Sequence, residues 1–255
     1  MYKLAATFAI ATTLLSGSVI AQPNKPTIVL VHGAFADSSS WNGVITNLQK
    51  DGYQVLAVAN PLRSVIDDAH SVSDVVSSIN GPVVLVGHSY GGQVITTAAK
   101  GHANVKSLVY VAAFAPDVGE AAADLAGMFP GGTLSEALAP PVKHEDGGVD
   151  LYIDQTKFHK QFAQDVSSEA AALMAVGQRS ITEAALTERS GEPAWKSIPS
   201  YFVYGDSDKN IPAKALAFMA ERAKSKRTVV VAGGSHVVMI SQPGVVTELI
   251  EEAAR

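Results

Sequence analysis

Five consecutive residues, Gly87-His88-Ser89-Tyr90-Gly91, spell a G-x-S-x-G pattern. It follows the apolar run Pro82–Val86 and opens an amphipathic stretch from Tyr90 to Lys100. A serine on such a strand-to-helix turn is a nucleophile elbow: the flanking glycines let the chain bend sharply, and the hydroxyl stands clear of the sheet edge. The positive end of the following helix points at it. A serine hydroxyl needs a base, and the base needs an orienting acid. His236, in Gly233-Gly234-Ser235-His236, follows the run Arg227–Val231. Gly205-Asp206-Ser207-Asp208 follows the run Ser200–Tyr204. Ser89, an aspartate and His236 thus occur in the chain order Ser…Asp…His. Two aspartates compete for the acid position. Asp208 lies near the loop apex, four residues before Pro212, and suits the orienting role. Asp206 adjoins the strand end and suits shaping the turn.

Acyl transfer by such a serine also needs N–H donors aimed at the developing oxyanion. The expected donors are the backbone N–H of Tyr90, next to the nucleophile, and that of Ala34, in the turn His32-Gly33-Ala34-Phe35. His32 and His88 flank these turns and read as structural. His70, His102 and His159 fall on helix or loop positions. His144-Glu145-Asp146 are adjacent rather than spaced for ligation and read as a solvated turn, so no metal site is expected.

These turns need a scaffold that delivers them to one edge. Apolar, β-branched runs recur at Thr27–Val31, Tyr53–Ala59, Pro82–Gly87, Lys106–Ala112, Ser200–Tyr204 and Arg227–Val231. Most lack polar alternation, the mark of parallel strands covered on both faces. Amphipathic stretches lie between them, at Ser39–Lys50, Val65–Ile79, Tyr90–Lys100, Ala213–Ala223 and Gln242–Glu252. The alternation predicts an open parallel sheet with helices on both sides. From Asp117 to Ser197 the rhythm stops. A Gly/Pro/Ala-rich loop, 115–141, precedes helical patterns at Thr156–Gln164, Ser168–Val176 and Ile181–Arg189. This insertion is too long for a simple crossover. It reads as a helical cap over the carboxyl ends of the strands, where open parallel sheets bind ligands.

Composition agrees with a globular chain. Of 255 residues, 47% are hydrophobic and 17% charged, which excludes a disordered polymer. The net charge of −5 offers no footprint for nucleic acid or an anionic membrane. The chain has no cysteine, so disulfides, thiolate metal sites and a Cys nucleophile are excluded. Lys3, the apolar run Leu4–Leu15 and the small-residue end Val19-Ile20-Ala21 have the pattern of a signal peptide cleaved after Ala21. The expected organisation is a signal peptide over 1–21, a core over 22–116 and 198–255, and a cap over 117–197. The expected location is secreted or periplasmic.

Four stretches, Val29–Phe35 with Trp41, Val86–Gly92, Asp208–Pro212 and Gly234–Pro243, resemble the α/β-hydrolase superfamily. Within it they resemble the group holding plant methylesterases, hydroxynitrile lyases and bacterial serine esterases. The likeness spans nearly all of the chain beyond residue 21, apart from portions of the cap. It implies an α/β-hydrolase fold with a mostly parallel six-stranded sheet. It implies Ser89, Asp208 and His236 as a catalytic triad and Ala34 and Tyr90 as oxyanion donors, with no cofactor. Lyases of this group carry a threonine after the first histidine and a lysine after the last, where this chain has Gly33 and Val237. Haloalkane dehalogenases and epoxide hydrolases use an aspartate nucleophile, against which Ser89 argues. Phe35, Phe114 and Met239 are expected to line the substrate pocket, with Phe129, Phe158, Phe162 and Met174 as further candidates from the cap. The expected activity is carboxylesterase action on neutral, small-to-medium esters. Lactone, amide or carbon–carbon hydrolysis, perhydrolysis without a cofactor, and a non-catalytic binding role are the alternatives. The expected partner is the small-molecule substrate, with no nucleic acid and no stable membrane association.

Overall fold

Each apolar run becomes a strand, and the strands assemble into one parallel sheet. The computed structural model describes residues 25–255. The expected signal peptide, 1–21, lies outside the described residues. The chain begins with β1 (Thr27–Val31), α1 (Asn42–Lys50), β2 (Val55–Val58), α2 (Val65–Ser77), β3 (Val83–His88), α3 (Tyr90–Ala98) and β4 (Val105–Val111). After the inserted segment it resumes with β8 (Ser200–Gly205), α9 (Ala213–Arg222), β9 (Arg227–Val231), α10 (Val238–Ser241) and α11 (Pro243–Ala253). The insertion carries α4 (Ala122–Gly127), α5 (Leu134–Ala137), β5 (Val142–Lys143), β6 (Val149–Leu151), α6 (Gln155–Phe162), α7 (Ser168–Gly177), β7 (Ile181–Thr182) and α8 (Glu183–Thr187).

The main sheet has six strands in the order β2-β1-β3-β4-β8-β9, and every pairing is parallel. All residues of β1 and β3 are buried. Successive side chains point to opposite faces, so both faces of the sheet centre are covered. The edge strands β2 and β9 are partly exposed. The chain runs outward from β1 to β2, then returns to place β3 on the other side of β1. The reversal makes a topological switch point between β1 and β3, and a crevice opens beyond their carboxyl ends.

The insertion differs from the expected all-helical cap. It contains a small antiparallel sheet, β5-β6-β7. Strands of two or three residues are too short to show a period of two, which is why the sequence pattern misses them. The helix expected from Ile181 starts at Glu183, because Thr182 Oγ1 accepts the N–H of Ala185 and caps it. The stretch read as loop over 115–141 holds α4 and α5. Polar ties fasten the cap to the core. Glu188 accepts the N–H groups of Val65 and Ile66 at the start of α2, and Arg63 Nη1 donates to Asp150 Oδ1 at 2.7 Å.

Candidate active site

Ser89 occupies the residue between β3 and α3 with φ 54° and ψ −124°. A non-glycine residue with positive φ persists only where its surroundings over-determine it. Here the Ser89 N–H donates to Val111 O at 3.2 Å, and Ser89 O accepts from Gly92 N at 3.0 Å and Phe114 N at 3.1 Å. Both backbone polar groups of the strained residue are therefore fixed. Gly91 allows the close crossing beneath it: a Cβ there would stand 2.5 Å from Val31 O.

The loops after β8 and β9 bring their side chains to the same point. His236 Nε2 lies 2.8 Å from Ser89 Oγ, across 147 residues of chain. His236 Nδ1 lies 2.6 Å from Asp208 Oδ2. A carboxylate only accepts, so the imidazole proton sits on Nδ1, and Nε2 is left to accept from the serine. The second oxygen of Asp208 accepts the N–H groups of Asn210 at 2.7 Å and Ile211 at 3.0 Å. Ser89, Asp208 and His236 are all buried. Asp206 faces away: its Oδ1 accepts Gly233 N–H at 2.8 Å and joins the two loops.

Two further histidines support this arrangement from inside. His88 Nε2 donates to the carbonyl of His236 at 3.0 Å, with ring centroids 4.8 Å apart. Burial, and then the neighbouring His236, hold the His88 pKa well below that of an ordinary imidazole. His32 Nδ1 donates to Gly33 O at 2.9 Å, and its Nε2 accepts the N–H of Asn60 at 3.1 Å. Burial keeps it neutral as well. Among the described residues no group of three or more His, Asp or Glu has the geometry to hold a metal ion.

Beside Ser89 lies a cavity of about 300 Å³, at the small end of ligand sites. Ala34 and Tyr90 border it. Tyr90 is the first residue of α3, where a backbone N–H has no intrahelical acceptor. Ala34 lies in the turn after β1, and among the described residues no backbone carbonyl accepts its N–H. The Tyr90 hydroxyl is turned away from the cavity chemistry and donates to Asp68 Oδ2 at 2.9 Å. Phe35, Phe114 and Phe162 line the cavity. Met239 does not, contrary to expectation. It sits on α10, fully buried where that helix packs against α1 and the Ser38–Trp41 turn. Phe158 is packed behind Phe162, with ring centroids 4.9 Å apart, and Phe129 packs on Phe218. Met174 borders a separate groove on the outer side of Phe35.

Pattern reading missed the polar residues at the end of α6. Gln161 Nε2 donates to Lys209 O at 2.9 Å, and Gln164 Nε2 to Ser207 O at 2.9 Å, so both hold the loop of Asp208. Asp165 holds the loop of His236 through Ser235. Three polar side chains within five residues, Gln161 on the last turn of α6 and Gln164 and Asp165 just beyond it, are the available signal. Their partners lie 43 to 70 residues away.

Comparison with known proteins places this geometry in context. The model of the alpha/beta hydrolase family matches residues 28–249. The chain is 27% identical over 251 residues to alpha/beta hydrolase nvfD of Aspergillus novofumigatus, covering 90% of this chain and 97% of that one. It is 27% identical over 241 residues to the alpha-hydroxynitrile lyase of Arabidopsis thaliana, covering 86% and 93%. The solved structure of polyneuridine aldehyde esterase superposes with a TM-score of 0.78 at 19% identity, covering 91% of this chain and all of that one, and so shares its fold. With its matched length, its six-stranded sheet and its Ser–His–Asp array at the switch point, this chain belongs to the alpha/beta hydrolase family.

Proposed function

We propose that the protein is a serine carboxylesterase acting on neutral esters with small to medium acyl or alcohol parts. The observation that carries the reading is the pair of contacts at His236, 2.8 Å to Ser89 Oγ and 2.6 Å to Asp208 Oδ2. In the reaction His236 Nε2 takes the Ser89 proton as Oγ bonds to the ester carbonyl carbon. The oxyanion of the tetrahedral intermediate accepts the N–H groups of Ala34 and Tyr90. Collapse expels the alkoxide, which leaves as the alcohol with the proton from His236. Water, deprotonated by the same nitrogen, then attacks the acyl group and frees Ser89. Asp208 holds the imidazole tautomer and stabilises the imidazolium throughout.

The cavity carries the substrate class. Among the described residues no Lys, Arg, Asp or Glu lines it, and its aromatic walls suit uncharged groups. Hydroxynitrile lyase action is disfavoured by Gly33 and Val237, which stand where the lyases carry threonine and lysine. A side chain at position 33 would also begin 3.2 Å from Ser89 Oγ. Export is part of the proposal, on the pattern from Lys3 to Ala21. The exported protein is expected to begin at Gln22, and an exported form with residues 1–21 intact would count against cleavage.

The test of the activity is direct. Ser89→Ala is expected to lower kcat on a nitrophenyl ester about a million-fold and to abolish labelling by a fluorophosphonate. Wild-type turnover in Ser89→Ala would overturn the reading.

A further inference from the structure

Phe35 stands at the boundary of two openings. It lines the cavity beside Ser89. It also lines a groove of about 410 Å³ between α7 and the Ser38–Trp41 turn, bordered by the apolar Ala36, Leu173, Met174 and Ile240. Among the described residues the two openings have no other lining residue in common. The Phe35 ring meets that of Phe162 edge-on, with centroids 6.2 Å apart, and Phe162 belongs to the cavity wall. The backbone beneath this ring is strained. Phe35 has φ 59°, a region in which a bulky side chain is an outlier. Its N–H is held by the carbonyl of Arg179, just beyond α7, at 3.0 Å. Strained residues of this kind gather at ligand clamps. A glycine would take the same turn at no steric cost, so what the strained backbone delivers is the ring. The cavity has a different character at α4 and α5. Ala123, Gly127 and Ser135 line it there and are exposed, whereas Ala34, Phe35 and Phe162 are buried.

We propose that Phe35 is the specificity-determining wall that parts the cavity from the groove, and that the preferred substrates are neutral esters with one short side, which ends at Phe35, and one side of freer length, which leaves between α4 and α5. The proposal rests on the carboxylesterase reading and deepens it. A chain too long for the closed side must push aside a ring that is packed on its neighbours, and interiors packed to this density yield little. Apolar pockets discriminate single methylenes by about tenfold or more for this reason. Without the ring, the same chain runs on into the groove.

The experiment lengthens each side of methyl butanoate in turn and measures acid release. The acyl series is methyl butanoate, hexanoate and octanoate. The alcohol series is methyl, butyl and octyl butanoate. In one series kcat/KM of the wild type is expected to fall about tenfold or more from the shortest ester to the longest. In the other it is expected to change less than about threefold. Ratios taken within one protein cancel any general loss from disturbing the turn of Ala34. Phe35→Ala is expected to raise the long-to-short ratio about tenfold in the falling series alone. Phe35→Ala with Met174→Trp, which fills the groove from its other side, is expected to lose that gain. Phe35→Leu is the milder variant should Phe35→Ala not fold, with a gain of about threefold in the same series. A wild type with no fall in either series, or with a fall in both, would overturn the proposal and leave the esterase reading standing. So would a folded Phe35→Ala or Phe35→Leu protein with the wild-type ratio. A gain that survives Met174→Trp would overturn the partition between cavity and groove. No hydrolysis of any of these esters by the wild type would bring down the esterase reading and this proposal with it.

Discussion

Asp165, just beyond α6, grips Ser235, the residue next to His236. Asp165 Oδ2 accepts the Ser235 N–H at 2.8 Å, and Oδ1 accepts the Ser235 hydroxyl. Ser241 Oγ donates to the same carboxylate at 2.7 Å. Gln161, four residues earlier, and Gln164, the preceding residue, hold the loop of Asp208. The end of α6 therefore braces the acid loop and the histidine loop together, and this part of the cap is structural support for the array rather than a gate over it.

Removing the brace should show in turnover rather than in binding. Asp165→Ala is expected to lower kcat about 10- to 100-fold, since small displacements of a reacting group cost that much, with KM changed less than about threefold (about 0.65 kcal/mol). Asp165→Asn keeps one acceptor oxygen for Ser235 and should recover part of the loss. Steady-state kinetics on one ester checks this. An Asp165→Ala enzyme with undiminished kcat, or one impaired only in KM, would sink the idea.

The brace also marks where sequence reading stops. β1 and β3 were legible because a parallel strand buried on both faces reads as a near-continuous apolar run. Ser89 was legible because a tight strand–turn–helix junction restricts which residues can flank it. Asp208 was separable from Asp206 by loop position, which the geometry matches. The grip of Asp165 on Ser235 spans 70 residues between two loops, and no local period records such a pairing. Met239 misled for a related reason. Adjacency to the turn that carries His236 fixes where the backbone is, while the side chain follows the turn of α10 into the core. The cap strands failed through length alone.

The bond from the Tyr90 hydroxyl to Asp68 anchors the residue whose N–H is the proposed oxyanion donor. Burial raises the Asp68 pKa, and hydrogen bonds from the Arg63 N–H and the Tyr90 hydroxyl pull it back. Tyr90→Phe leaves the carboxylate short of one donor and should destabilise the protein by about 1–3 kcal/mol at neutral pH. The sign of the pH dependence follows from the raised pKa. The ionised carboxylate bears the penalty, so the deficit should shrink as acid protonates Asp68. Urea unfolding of the two proteins at neutral and mildly acidic pH checks it. An equal deficit at both would count against the pairing.

His32 and His88 predict a second pH effect on the whole protein. Both are held below the ordinary imidazole value of 6.5, His32 chiefly by burial, His88 by burial and then by His236. The unfolded chain binds these protons near 6.5 and the folded chain refuses them. Their contribution to stability is therefore complete above pH 6.5 and drains away as the pH falls below it. For His88 the loss should approach about 1.4 kcal/mol per pH unit, and His32 adds a loss of the same sign. His88→Gln should remove its share of the slope. Urea midpoints between pH 7.5 and 5 measure this, and a flat profile in the wild type would contradict it.

Gly33 is held to hydrogen by Ser89, the proposed nucleophile. A Cβ at position 33 would lie 2.6 Å from Ser89 Cβ and 2.7 Å from His88 O. Neither neighbour has room to yield. Ser89 is fixed by three backbone hydrogen bonds, and His88 ends a fully buried strand. Gly33→Ala must therefore move the β1 turn, the elbow, or both. Overpacking of this kind typically costs about 1–3 kcal/mol. Either movement also shifts Ala34 relative to Ser89, so the oxyanion donor and the attacking oxygen no longer face one carbonyl. Turnover is expected to fall about 100-fold or more, with the rate of fluorophosphonate labelling falling in parallel. A folded Gly33→Ala protein that labels at the wild-type rate would mean that the turn after β1 does not set the position of the nucleophile.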